Sequence, residues 1–331
     1  MRALRPLGVL LGLLLLLPLP SLTGAAPQPV YIALGDSIAA GLVTSLPRER
    51  GYPALVDELM PGTRLVNLAV PGETTERFMN RQLQRFQQEI GQLKASGAGL
   101  RAVTITLGGN DVLALQGQSA AERQAGLDRF KSAYPLALAA IRDALGDLKP
   151  AVVVTTYYDL SEGDPNQRGS DAWWLHQFND VIRAAAQAQG MKVADLEPAF
   201  RGQIGQWTWY PNDIHPNNAG HAAIARLVWT ALGFDTQAPS IAVQSPGAGT
   251  LERRTPTVRV AASDNVGVTD VSLWVDGKEI GGLLYVPAQQ AYIGVWDARD
   301  YPRARATLTI KAHDLAGNEA TADISVALPG S

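Results

Sequence analysis

Over roughly the first two thirds of the chain, short apolar runs of strand length alternate with longer stretches whose apolar residues recur at helical spacing. The runs at 30–34, 64–68, 101–107, 151–156 and 192–196 predict five strands. Between the second and third, Phe78, Leu83, Phe86, Ile90 and Leu93 mark one helical face. After the third, Leu127, Phe130, Tyr134, Ile141, Leu145 and Leu148 mark another. Strand and helix in alternation predict a parallel sheet with helices on its faces. Pro135 falls inside the second stripe and, lacking an N–H, is expected to kink or split that helix.

The pattern changes after Gly233. Helical stripes vanish, and short alternating runs rich in Thr, Val, Asp and Gly take over at 257–260, 271–275, 306–310 and 323–326. Asp276-Gly277 between two such runs is a strong hairpin signal. Closely spaced short strands with turn signals predict an antiparallel sandwich. The expected division is therefore an α/β unit at 27–235 and an all-β unit at 236–331.

Composition adds compartment and excludes partners. A chain of 331 residues, 46% hydrophobic, can bury a sizeable core and exceeds one typical domain. Residues 1–26 carry Arg2 and Arg5, an apolar stretch from 7 to 19, and small residues ending at Ala25-Ala26. This reads as a secretory signal peptide, because the apolar core is too short to span a bilayer. A secreted, extracytoplasmic protein is expected. There is no cysteine, which excludes disulfides, thiol catalysis and thiolate metal sites. The net charge is −3 with no basic run, so nucleic acid is not an expected partner.

The candidate chemistry lies where strands end. Gly35-Asp36-Ser37-Ile38-Ala39-Ala40-Gly41 follows the first strand and sets a serine at a strand-to-turn break. A hydroxyl there is held by rigid backbone yet faces the crevice above the sheet. Asn67-Leu68-Ala69-Val70-Pro71-Gly72-Glu73-Thr74-Thr75 follows the second strand and Leu107-Gly108-Gly109-Asn110-Asp111 the third. Asp213-Ile214-His215-Pro216-Asn217 precedes a helical stretch at 219–232. These four blocks, in this order, resemble the SGNH, or GDSL, hydrolase superfamily of esterases and lipases over roughly residues 30–234. The phrases Ser263-Asp264-Asn265-Val266-Gly267-Val268 and His313-Asp314-Leu315-Ala316-Gly317-Asn318 resemble bacterial immunoglobulin-like modules.

The resemblance implies a flavodoxin-like, three-layer α/β domain with a five-stranded parallel sheet, followed by an Ig-like β-sandwich. In the order 2-1-3-4-5, the loops carrying Ser37, Gly72 and Asn110 end side by side. It also implies hydrolysis of carboxylic esters through an acyl-enzyme on Ser37, with His215 as general base. The oxyanion hole is implied at the backbone N–H groups of Ser37 and Gly72 and the Asn110 amide. Glycine suits that role because no Cβ obstructs the approach to its amide. The family places an aspartate three residues before the histidine; here that position is Asn212, and Asp213 lies two before. In extended chain, residues two apart share a face, which favours Asp213 as the group orienting His215. Asn212 or a backbone carbonyl is the alternative.

His176, His221 and His313 read as structural or solvated. Asp36 and Asp111 read as turn and hydrogen-bonding residues. Trp207, Trp209 and Tyr210 suit either an acyl-pocket floor or core packing. Tyr157-Tyr158 and the polar stretch at 159–171 follow the fourth strand, where a substrate-facing loop is expected. No metal-ligand spacing stands out and no cofactor is expected; the Asp264-Asn265 and Asp314 loops read as turns, with calcium the alternative. Expected partners are a small-molecule, lipid or acylated-glycan ester, with a cell-surface or glycan contact through the Ig-like unit. Competing readings are a polysaccharide or cell-wall O-acetyl esterase, a lysophospholipase, and, in another class, a catalytically inactive surface-binding protein.

Overall fold

The computed structural model describes residues 27–329; the expected signal peptide at 1–26 lies outside them. Five parallel strands form one sheet: β1 (Val30–Gly35), β2 (Arg64–Asn67), β3 (Leu100–Thr106), β4 (Ala151–Thr155) and β5 (Lys192–Ala194), in the order β2-β1-β3-β4-β5. Every residue of β1 is buried, as expected of a strand covered on both faces. On one face, helix Asn218–Leu232 packs against helix Tyr52–Glu58 and on β4 and β5. On the other, helix Ala120–Leu145 packs against Leu83–Ser96 and Asp171–Ala188. Phe86, Ile90 and Leu93 on one helix and Phe130, Tyr134 and Ile141 on the next fill the layer beneath the sheet. The architecture is the three-layer α/β fold that the alternation of elements predicts.

The expectation that Pro135 splits its helix needs correction. Helix Ala120–Leu145 runs through it without a break. The one lost bond frees the carbonyl of Lys131, at an exposed position where water can satisfy it. Meanwhile Leu127, Phe130, Tyr134, Leu138, Ile141 and Leu145 stay buried along one face. The burial of that face outweighs a single missing bond. A capping box at Ser119 and Glu122 fixes the helix start.

After Gly233 the chain builds two packed sheets. One orders β10 (Lys278–Gly282), β9 (Val268–Val275), β13 (Arg305–Asp314), β14 (Glu319–Ala327) and β7 (Gly249–Thr250). The other orders β11 (Leu284–Val286), β12 (Ala291–Val295), β8 (Thr257–Ser263) and β6 (Ser240–Ser245). All pairings are antiparallel except β14 with β7. The β9–β10 hairpin turns on Asp276 and Gly277, both at positive φ, the conformation this dipeptide favours. Inward residues Val258, Val260, Leu273, Leu308 and Ile310 form a second core, separate from the first. This is the expected Ig-like sandwich.

Candidate active site

The sheet brings the sequence blocks together at the carboxyl ends of its central strands. Gly35 closes β1 at φ +126°, and a Cβ there would lie 1.9 Å from the Thr106 carbonyl oxygen of β3. Only glycine permits this approach, and the chain then turns so that Ser37 rises above the sheet. Asp36 secures the turn: its Oδ1 accepts from the Ile38 amide at 2.9 Å, and its Oδ2 accepts from the Tyr157 hydroxyl at 2.6 Å. Burial pushes the Asp36 carboxyl from 3.8 up to about 6, against these two hydrogen bonds and the nearby His215.

The loop carrying His215 is held from three sides. An isolated antiparallel bridge joins Thr208 to Pro216, and the Trp209 amide donates to the His215 carbonyl at 3.1 Å. The Tyr158 hydroxyl donates to the Ile214 carbonyl at 2.7 Å. Asn217 caps helix Asn218–Leu232, its Oδ1 accepting from the amides of Ala219 and Gly220. The His215 ring is thereby fixed with Nε2 2.8 Å from Ser37 Oγ and Nδ1 2.6 Å from Asp213 Oδ1. A carboxylate only accepts, so Nδ1 carries the proton in the neutral ring and Nε2 accepts from the serine. Asp213 Oδ1 also accepts from the His215 amide at 2.8 Å. Burial alone would raise the Asp213 carboxyl, but the two hydrogen bonds from His215 and its charge hold it below the ordinary value. The Asn212 amide donates to the Trp209 carbonyl, and it is Asp213 that faces the ring.

Gly72 and Asn110 line the same cleft as Ser37 and His215. One hydrogen of the Asn110 side-chain amide is donated to the Glu73 carbonyl at 2.9 Å, which fixes the plane of the group and leaves the second hydrogen to be aimed elsewhere. Among the described residues, neither the Ser37 nor the Gly72 backbone N–H donates to the protein. Asp111, adjacent in sequence, accepts from the Thr75 amide at 3.0 Å and ties the second and third loops together.

Two residues hold the site from below in roles that the sequence did not indicate. Gln82 is fully buried; its Oε1 accepts from the Gly35 amide at 2.7 Å and its Nε2 donates to the Gly35 carbonyl at 2.9 Å and to Glu73 Oε2 at 3.0 Å. Tyr157 is the second, through Asp36. The only local signal for Gln82 is a polar residue inside the apolar stripe from Phe78 to Phe86.

The other candidates fall elsewhere. Trp207 packs edge-on against Phe200, with ring centroids 5.0 Å apart. Trp209 is half exposed and donates to the Val43 carbonyl, and Tyr210 lines a recess beside the cleft. His176 pairs with Glu197 at 2.7 Å, and His313 with Asp270 and Glu319, which raise its pKa. His221 is buried, and burial with the charge of His215 lowers it to about 4.

The cleft is about 220 Å³ and apolar apart from the groups named: Ile38, Leu42, Val112, Leu113, Leu160, Leu175 and Ile214 form its walls. Val112, Leu113, Tyr158, Leu160, Leu175 and Ile214 also wall a second recess of about 210 Å³, which reaches Leu115, Trp174 and Phe178. Arg123 and Asp171, paired at 2.5 Å, close its polar rim.

This fold, with a polar cluster over the carboxyl edge of its sheet and an apolar recess beside it, defines a hydrolytic α/β enzyme. The chain belongs to the GDSL-like Lipase/Acylhydrolase family, which matches residues 33–223, and it is a carboxylic ester hydrolase. A bacterial Ig domain matches residues 239–310. The chain is 26% identical over 214 residues to an acetylxylan esterase of Geobacillus stearothermophilus, covering 61% of this chain and 84% of that protein. Among solved structures it is similar to an extracellular lipase of Streptomyces rimosus: 25% identity, TM-score 0.47, 61% of this chain and 99% of that one. It is also similar to an acetylxylan esterase of G. stearothermophilus: 19% identity, TM-score 0.48, 62% of this chain and 95% of that one.

Proposed function

We propose that the protein is an exported serine esterase that cleaves carboxylic esters of aliphatic acids through an acyl-enzyme on Ser37. One observation carries this reading: a continuous relay from Ser37 Oγ through His215 to Asp213, at 2.8 and 2.6 Å, beside two backbone amides that donate to no protein group among the described residues. Ser37 Oγ attacks the ester carbonyl carbon and passes its proton to His215 Nε2. Asp213 stabilises the resulting imidazolium and holds the ring's tautomer. The carbonyl oxygen, now an anion, accepts from the amides of Ser37 and Gly72 and from Asn110 Nδ2. Collapse of the tetrahedral intermediate breaks the bond to the alcohol, which takes the proton from His215 Nε2. Water then repeats the sequence on the acyl-enzyme, releasing the acid and restoring the Ser37 hydroxyl. Export rests on the residue pattern at 1–26.

The apolar walls support an acyl chain longer than acetyl, because each methylene that leaves water for this recess contributes about 0.8 kcal/mol. The second reading is a deacetylase of acylated polysaccharide, motivated by the acetylxylan esterase relative. Initial rates on a series of soluble esters from acetyl to decanoyl, and on acetylated xylan, separate the two. A rise in kcat/KM of up to about fourfold per methylene supports the aliphatic reading. A maximum at acetyl with release of acetate from xylan supports the other. Ser37→Ala and His215→Ala should each lower kcat on every active substrate by about 10⁶-fold with the fold retained by circular dichroism. A folded Ser37→Ala protein with full activity would refute the mechanism.

A further inference from the structure

We propose that a calcium ion binds between Asp235, Asp264 and Asp314 and fixes the β-sandwich to the hydrolase unit. The three residues come from three separate segments. Asp235 lies just past Gly233, which ends helix Asn218–Leu232; Asp264 follows β8; Asp314 ends β13. One carboxylate oxygen from each lies within 4.8 Å of the other two. Calcium bonds oxygen at 2.3–2.6 Å, so ligands across one ion stand about 4.8 Å apart.

Three carboxylates so placed repel one another unless a positive charge answers them. Among the described residues none of the three has a salt-bridge partner. The histidine nearest in sequence, His313, is instead bonded to Asp270 and Glu319. Asp235 and Asp314 are only 6% and 3% exposed, which removes solvent as the screen. Most telling is Asp235 Oδ2: it is enclosed and, among the described residues, accepts no hydrogen bond. A buried carboxylate oxygen left without a donor is costly, and a cation answers that cost directly.

The other oxygens are already oriented. Asp264 Oδ1 accepts from the amides of Val266 and Gly267, and Asp314 Oδ1 from those of Ala316 and Asn318, so both carboxylates are held by their own turns. The Asn265 amide touches Asp235 Oδ1 at a long 3.4 Å, and flipping it would offer its oxygen as a further ligand. Such an all-oxygen set with three negative charges suits calcium, with water completing its shell, better than magnesium or zinc. The placement couples the two units. Val266, Leu315 and Ala316, from the same two turns, pack on the hydrolase core, and Asn318 Nδ2 donates to the Gln237 carbonyl at 3.1 Å.

The test uses the full-length protein, stripped with a chelator and desalted. Calorimetric titration with calcium chloride should give one site per chain, and saturating calcium should raise Tm by about 5 °C. Magnesium at equal concentration should do much less, and kcat on a soluble ester well below Tm should not change. Asp235→Asn preserves shape and removes one charge; it should weaken calcium binding at least tenfold and abolish most of the Tm shift. Asp264→Asn should do the same, which guards against a folding defect in either variant. No binding heat and no Tm shift in the stripped wild type would overturn the proposal. Binding undiminished in both variants would overturn the assigned site.

Discussion

At the scale of single residues the site is a set of ionisable groups given different tasks by their surroundings. Asp213, at the surface, is held ionised by its bonds to His215; Asp213→Ala should therefore cost on the order of 10³–10⁴ in kcat, while Asn212→Ala should change it little. Equal, small losses from the two variants would show that a backbone group orients the ring. Asp36 is the opposite case, a carboxyl that burial pushes to about 6. The folded protein keeps that proton over a range where the unfolded chain, releasing it near 3.8, has lost it. The stability this group contributes is therefore full below about pH 4 and lost as pH rises through about 6. About two pH units correspond to roughly 3 kcal/mol. Asp36→Asn has no such proton, so urea unfolding should show the free energy of wild type relative to the variant falling by about 2.5 kcal/mol between pH 4 and pH 7. A difference that does not vary with pH would contradict the buried-acid account.

At the scale of elements, the strand-to-loop junctions set the geometry. Gln82 clamps both backbone groups of Gly35 across 47 residues of chain, so the end of β1 is defined by a side chain from a helix. Gln82→Leu fills the same space but leaves the buried Gly35 amide without an acceptor and buried Glu73 Oε2 without this donor, while the Gly35 carbonyl keeps the Val70 amide, at a cost of about 2–5 kcal/mol. It should also lower kcat on the order of tenfold through displacement of Ser37, with KM nearly unchanged. Wild-type stability and rate in this variant would remove Gln82 from the positioning of the site. The same junction explains what was legible in advance. The strands and the blocks around Ser37, Gly72, Asn110 and His215 were readable because apolar runs and turn residues are local features, whereas the strand order came from the family resemblance. The Gln82 clamp and the bond from Tyr157 to Asp36 were not readable, because they are contacts 47 and 121 residues distant that leave no periodic trace. The placement of Asp213 stood between these cases, since spacing narrowed the choice and only the path of the loop brings the carboxylate to Nδ1. Pro135 does not split its helix for a related reason: the local defect is plain in sequence, and the buried face that outweighs it is not.

At the scale of the whole molecule, two cores meet along a seam that the chain crosses once, at Asp235. Every group assigned to the chemistry, from Ser37 to His215, stands in the first unit, and its sheet is complete without the sandwich. A protein of residues 27–235 should therefore fold and hydrolyse a short soluble ester with kcat/KM within about twofold of the full chain, as expected for a distant, separable module. It should be less stable, because Val266, Leu315 and Ala316 no longer cover the hydrolase core. A loss of about 1–2 kcal/mol would lower Tm by roughly 5 °C. The fragment also lacks Asp264 and Asp314, so calcium should leave its melting unchanged where it stabilises the full chain. Thermal unfolding and ester rates on both proteins, with and without calcium, measure all three effects. A fragment that is folded by circular dichroism yet inactive on the soluble ester would mean that the sandwich helps shape the cleft, and the two units would then have to be regarded as one catalytic body.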